Sequence, residues 1–278
     1  MQITAQMVKA LREATSAGMM DCKNALNEIA ADFDDEKALM ESAIEILRKK
    51  GIAKAAKRLD RETSEGRIVA YAEPNRVVLL SVTCETDFVA INDDFGALTK
   101  DILDHAVASD ATDLDAYLAV DKGGQPVSDF LKEKTGAVGE RIEVKHYINF
   151  KSSDNVEYYV HSNNKVATLI EFTGDDKEFA QDVAMHIAAM KPIALNRDSV
   201  DETVVAKELE IIKDQLRNEG KPEDMIEKIS QGKINRFFKD SCLVDQIFVK
   251  SEDGKTVAAE AKARGVEIKS FVRFAIGE

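Results

Sequence analysis

No stretch of this 278-residue chain approaches the roughly 18 consecutive apolar residues that a membrane-spanning helix needs. The opening "MQITAQMVKALREAT" also lacks the apolar core of a secretory leader, so a cytoplasmic protein with no membrane partner is expected. Cysteine is scarce. Cys22, Cys84 and Cys242 are odd in number, far apart and set among apolar neighbours, which suits reduced packing residues better than a disulfide framework or a metal site. The usual catalytic signatures are missing too. There is no GxxxxGK(S/T) phosphate loop, no HExxH, no GxSxG and no CxxC, so nucleotide hydrolysis, zinc hydrolysis and serine-esterase chemistry each lack their residues. Positive charge is in deficit: 38 Lys and Arg against 51 Asp and Glu give a net charge of -13, which repels phosphate backbones and argues against direct nucleic-acid binding. In so acidic a chain, neighbouring carboxylates say nothing about catalysis. The expectation is a protein that is no enzyme, holds no metal or cofactor, and recognises a protein or a small molecule.

What is present is organised. With 44% hydrophobic and 32% charged residues the chain can bury real cores, and its length suits one to three domains. Thr4 is suited to cap a short helix marked by Met7, Val8 and Leu11, which stops near Gly18. Met20, Cys22, Ala25, Leu26 and Ile29 form the apolar face of a second helix. Asp34 or Asp35 caps a third, with the stripe Leu39, Ala43, Ile46 and Leu47. These three short helices read as a small independent bundle over residues 1–55. The strongly basic "RKKGIAKAAKRLDR" from Arg48 to Arg61 follows, read as a solvated helix or linker in preference to an RNA contact.

From Gly66 the period changes to two. "RIVAYAEPNRVVLLSVTC" reads as a hairpin turning at Pro74 and Asn75, and Phe95, Leu98 and Ile102 then restore helical spacing. The same order recurs in "VEYYVHSNNKVATLIEFTG" and "KEFAQDVAMHIAAM", a duplicated strand-strand-helix unit in which His105 and His186 occupy matching helix positions. Pairing Arg76 with Lys165 and Leu98 with Phe179 leaves the first copy longer, and the surplus falls on "ETDFVAIN". That insertion is where function is expected, because loops on rigid scaffolds tend to carry it. It also holds a puzzle: Phe88 follows two carboxylates where the chain should turn into solvent, so it must be buried either in this protein or in another.

Between the copies, Ile142, Val144, His146, Ile148 and Phe150 alternate as a half-buried strand, with His146 a satisfied sheet residue. After the second copy, Val205, Leu209, Ile212 and Leu216 form a coiled-coil-like seam. Gly220 and Pro222 turn it into a return helix carrying Met225, Ile226, Ile229 and Phe237. "GVEIKSFVRFAIGE" should return to a sheet, with Val266, Ile268, Val272, Phe274 and Ile276 on one side.

Four segments, "VKALREATSAGMMDCKNAL", "CETDFVAINDDF", "MHIAAMKP" and "GKTV", closely resemble the bacterial elongation factor Ts family, in the same order along the chain. The resemblance implies an α+β protein: an N-terminal three-helix, ubiquitin-associated-like bundle (1–55), a core of two related antiparallel-sheet-plus-helix subdomains (56–150, and 151–200 with 246–278), and an inserted coiled-coil hairpin (201–245). It implies a guanine-nucleotide exchange factor for elongation factor Tu, GDP-bound and nucleotide-free, with a homodimer left open. Asp87 and Phe88 would intrude beside the magnesium end of the partner's nucleotide pocket, with Thr86 and Val89 also at the partner contact. Met19, Met20 and His186 would contact the same partner domain, and Val166, within Lys165 to Thr168, would face its C-terminal domain. Met20 reads equally well as bundle core. Ser16, Ile91, Ala167 and Ile247 stand where the family usually has Gly, a basic residue, Gly and Pro. Two other readings compete: an adaptor in which Phe88 packs internally, and a thiol enzyme using Cys84.

Overall fold

The computed structural model describes residues 1–15, 17–56 and 58–278, with the backbone alone for Ile52 and Lys54; the substitution noted at Ser16 lies outside them. The chain forms two compact units. One holds residues 1–71, 78–149 and 276–278, and the other holds 72–77 and 150–275.

The first unit opens with α1 (Ala5–Thr15), α2 (Met19–Ile29) and α3 (Glu36–Ala56). The Thr4 hydroxyl accepts from the Met7 N–H at 3.2 Å and the Asp35 carboxylate from the Ala38 N–H at 2.8 Å, so Asp35 caps α3. Leu11, Cys22, Ala25, Leu26, Leu39 and Ala43 meet in one core. Met20 is absent from it, being 62% exposed.

The bundle is neither made only of short helices nor isolated. With 21 residues, α3 runs on through "RKKGIAKAA", whose Lys and Ala residues favour helix, and its second half packs on α7 (Val127–Val138). Gly51 and Gly136 make that crossing close: a Cβ built on Gly136 would lie 2.3 Å from the Gly51 Cα. Five basic residues of the run meet this chain's own acceptors. Arg48 approaches Glu133, Lys49 pairs with Glu45, Lys50 with Glu28, and Arg61 with Glu85, while Arg58 donates to the Thr135 carbonyl. A phosphate backbone would have to displace these partners, so the run serves as a solvated, stapled helix among the described residues.

The first sheet has the order β1 (Glu65–Glu73), β2 (Arg76–Cys84), β3 (Glu143–Lys151). Asn75 makes the hairpin turn with φ of 63°, a conformation asparagine tolerates. α4 (Asp87–Ile91) and α5 (Asp93–Ser109) follow β2, then α6 (Leu114–Ala119) and α7. Val78, Leu80, Val82, Phe95, Ile102 and Tyr117 lie at the centre of the core. The simple alternation expected of β3 holds only at its start. Tyr147, one step out of phase, is buried at 8% exposure because its ring stacks on Tyr117 with centroids 4.9 Å apart and its hydroxyl donates to the Ala111 carbonyl at 2.8 Å. His146 is half-buried, its Nδ1 3.0 Å from the Ser81 hydroxyl, and burial pushes its pKa down.

The second unit repeats the plan. β4 (Asn155–Val160) and β5 (Val166–Thr173) pair antiparallel, with Tyr158 opposite Leu169, and α8 (Lys177–Met190) packs on both. After α9 (Glu202–Asn218), α10 (Glu223–Ser241) and α11 (Val257–Ala263), β6 (Glu267–Ala275) pairs with β5. The duplication is longer than the expected strand-strand-helix. Each unit adds an isolated bridge (Asp121 with Pro126, Ile247 with Thr256), a helix (α7 or α11), and a third strand beside the second. A register shift between Glu171 and Phe172 brings Ser270 opposite the first and Ile268 opposite the second. This bulge at Lys269 breaks the single alternation expected along β6, and Val272 is only half-buried.

In the helical hairpin Ile212 and Leu216 of α9 pack against Ile226 and Ile234 of α10. Met225, expected inside, is 50% exposed. With Pro222 at the helix start, Ile226, Ser230 and Ile234 share the inner face at four-residue spacing, and Met225 sits one position off it.

Candidate functional site

The insertion "ETDFVAIN" folds into the five-residue helix α4. Thr86 is extended (φ -123°, ψ 155°) and its hydroxyl caps the helix, accepting from the Val89 N–H at 3.4 Å. Ala90 turns inward and Val89 is half-buried. The two large apolar side chains at three-residue spacing, Phe88 and Ile91, point outward, 78% and 72% exposed. Placing an exposed aromatic beside an exposed isoleucine on a well-formed turn costs solvation and gains nothing within this chain. Next to them lies a groove of about 660 Å³ lined by Phe88, Val89, Phe95, Leu98, Phe130 and Val138. Phe88 is therefore not core, which removes the premise of the adaptor reading. Contiguous exposed apolar surface of this kind makes the turn and its groove the candidate binding surface.

The turn is held by polar contacts that come from far along the chain. Glu140 accepts from the backbone N–H groups of Glu85 and Thr86 at 3.1 and 2.9 Å and from the Thr86 hydroxyl at 2.6 Å. Glu85 in turn accepts from the Arg141 N–H at 2.7 Å and pairs with Arg61. Partial burial works against the Glu85 charge, but the Arg141 N–H and the Arg61 guanidinium prevail and hold its pKa below the usual range. Arg67 on β1 donates to the Ala90 and Asn92 carbonyls at 2.5 and 3.3 Å. The Cys84 thiol is buried and donates to the Thr86 carbonyl at 3.3 Å, a structural use of the sulfur. The burial of Cys22 and Cys242 raises their pKa values, which makes them inert as thiolates.

Of the other expected site residues, Met19 and Met20 stand at the start of α2, 46% and 62% exposed, so both present thioether surface to solvent. His186 and Val166 belong to the second unit. His186 is fully buried, not surface-presented. Its Nδ1 accepts from the Val249 N–H at 3.2 Å, which places the ring proton on Nε2, and Nε2 donates to the Gln246 Oε1 at 2.9 Å. Gln246 passes the link to the Met190 and Asp240 carbonyls. His105 does the corresponding job in the first unit, its Nε2 donating to the Asp121 carbonyl at 3.0 Å. Both histidines thus pin the segment that carries the isolated bridge. In the segment Lys165 to Thr168, Ala167 and Thr168 are buried, the latter donating to the Ala184 carbonyl at 2.8 Å, and only Lys165 and Val166 are half-exposed.

Burial lowers the His186 pKa below its ordinary 6.5. The unfolded chain then takes up the proton first as pH falls, so the stabilisation is complete above about pH 6.5 and is lost between there and the lower folded value. Urea denaturation of the parent should show a steeper loss of stability between about pH 7 and pH 5 than the same titration of His186→Gln. Parallel pH profiles would show that His186 does not titrate differently in the two states.

Among the described residues no helix is long and apolar enough to cross a membrane, and no cluster of three His, Cys, Asp or Glu side chains could hold a metal ion. Comparison with known proteins points to one family. Residues 85–278 match the family model described as Elongation factor TS. Curated relatives named Elongation factor Ts come from Christiangramia forsetii, 44% identical over 99% of both chains, and from Nautilia profundicola, 44% identical over 99% of this chain and 93% of the relative. The chain is a translation-factor relative along its whole length. It belongs to the elongation factor Ts family.

Ile91, Glu140 and Arg67 are not among the residues that the sequence placed at the site. Ile91 carried a usable signal, the three-residue spacing from Phe88 on a short helix. Glu140 and Arg67 carried none, because their partners are set by tertiary contacts.

Proposed function

We propose that this protein is a cytoplasmic guanine-nucleotide exchange factor that binds elongation factor Tu and promotes GDP release during translation elongation, with Asp87 and Phe88 disturbing the magnesium and phosphate site. The observation that carries the proposal is the exposed Phe88 on a turn fixed from both ends. A GTPase holds GDP through a phosphate-cradling loop and Mg²⁺, whose charge-assisted contacts demand fixed geometry. An aromatic wedged beside that site shifts the loop and weakens those contacts. Burying Phe88 supplies about 1.5–3 kcal/mol, so the wider interface has to contribute the rest. Met19 and Met20 suit it, since methionine adapts its shape to a partner surface, and Ile91 extends the apolar face of α4. His186 acts through the segment it pins, and Val166 offers a contact from the second unit.

Linkage makes the effect reciprocal. Whatever factor this protein applies against GDP affinity, GDP applies against its own binding. It should therefore bind the empty partner best and leave when nucleotide enters, and no covalent step is required of it. The test is release of a fluorescent GDP analogue from elongation factor Tu. Catalytic amounts of this chain should accelerate release, and added GDP should dissociate the complex; an unchanged release rate would reject the function.

A further inference from the structure

We infer that Glu140 and Arg67 are positioning residues that clamp the α4 turn at its two ends and so preset the direction of Phe88. The inference rests on the exchange role proposed above for Phe88. An exposed side chain receives no packing that could orient it, so the backbone beneath must do so. At the start of α4 the Glu140 carboxylate takes the Glu85 and Thr86 N–H groups at 3.1 and 2.9 Å and the Thr86 hydroxyl proton at 2.6 Å. That last contact has a consequence for the cap. With its proton committed to Glu140, the Thr86 oxygen turns a lone pair to the Val89 N–H, so one carboxylate fixes both the entry of the chain and the helix cap. At the far end Arg67 takes the carbonyl of Ala90, one of those the short helix leaves unpaired, and shares the Asn92 carbonyl with the Gly96 N–H that opens α5. The Arg67 guanidinium reaches these carbonyls close over Gly96, where a Cβ would lie 2.5 Å from its Nη1.

The two clamps come from different directions in sequence, β1 and the turn after α7, and they meet on a segment too short to hold its own helix. An isolated single turn is unfavourable in water because nucleation costs several fixed dihedrals for one hydrogen bond. Released from the clamps, α4 would populate other conformations, and the partner would have to order it on contact. Ordering before contact removes that cost. The clamps should therefore act on the rate of nucleotide release within the complex rather than on formation of the complex, to which other surfaces contribute.

The experiment compares the parent with Glu140→Ala, Glu140→Gln, Arg67→Met and Phe88→Ala. Saturation curves for release of a fluorescent GDP analogue from elongation factor Tu are measured alongside thermal melts and amide hydrogen exchange. Glu140→Ala is expected to lower the maximal release rate about tenfold while leaving the half-saturating concentration and the melting midpoint near the parental values. The amides of Glu85, Thr86 and Val89 should exchange faster in it. Glu140→Gln retains an acceptor oxygen for the two N–H groups and should restore most of the rate. Arg67→Met, which frees the other end, should reproduce the defect. Parental release by both Glu140→Ala and Arg67→Met, with Phe88→Ala slow, would overturn the clamp and spare the role of Phe88. Parental release by Phe88→Ala would overturn that role and the clamp with it. Unchanged amide exchange in Glu140→Ala, or a fall in melting midpoint and both kinetic constants that Gln does not rescue, would also overturn the inference.

Discussion

Phe88→Ala should slow the accelerated release of GDP from elongation factor Tu by about ten- to a hundredfold while leaving the protein folded, and the two halves of that result have separate physical origins. The kinetic loss follows from deleting an aromatic whose burial against the partner is worth about 1.5–3 kcal/mol, at about 1.4 kcal/mol per tenfold. The preserved fold follows from exposure. Phe88 is 78% exposed, and substitutions at such positions usually change stability by no more than about 0.5 kcal/mol. Had Phe88 been packed inside, the same change would cost about 3–5 kcal/mol. Release kinetics and a thermal melt on one preparation separate the outcomes. Slow release at an unchanged midpoint supports the wedge, whereas a large drop in midpoint would return Phe88 to the core.

The second large effect is an asymmetry between two glycines that face each other. Gly136→Ala would place a Cβ 2.3 Å from the Gly51 Cα and 2.7 Å from its carbonyl oxygen, against backbone that cannot rotate away. Helices α3 and α7 must then separate. The gain in helix propensity, about 1 kcal/mol, is outweighed by overpacking of about 1–3 kcal/mol and by the looser fit along the rest of the crossing. Among the described residues Gly51→Ala meets nothing nearer than the Glu133 carbonyl at 3.6 Å, an ordinary contact, so it keeps its propensity gain and should be neutral or stabilising. Chemical denaturation of the two single variants tests this directly. Equal effects at the two positions would show that α3 does not lie on α7 as described.

Much of the fold was legible because local chemistry and periodicity agree. The hairpin at Pro74 and Asn75, the helices on either side of "EGKPED", and the two copies of strand, strand and helix all follow from spacing and turn residues. The candidate site was legible in part for the same reason: an aromatic after two carboxylates, inside an insertion on a repeated scaffold, is a local anomaly. The misplaced expectations share one cause. Met20 and Met225 are apolar and near the right phase, yet each lies one position from the inward face, and Tyr147 is buried out of phase because Tyr117 waits on that side. Composition indicates that a side chain can be buried but not that a partner surface exists to bury it.

By itself, the sequence determined the three-helix start, the duplicated strand, strand and helix, the helical hairpin, the insertion after β2 and the family resemblance, because each depends on residue types at short spacing. Only the tertiary structure decided that α3 continues onto α7 through two glycines, that Arg48, Lys49, Lys50 and Arg61 of the basic run meet this chain's own carboxylates, that His186 is an internal pin, and that Glu140 and Arg67 hold the turn beneath Phe88. Those contacts join residues tens of positions apart. Their geometry is fixed by where packed helices and strands bring backbone and side chains within hydrogen-bonding reach, and no local pattern in the chain encodes that distance.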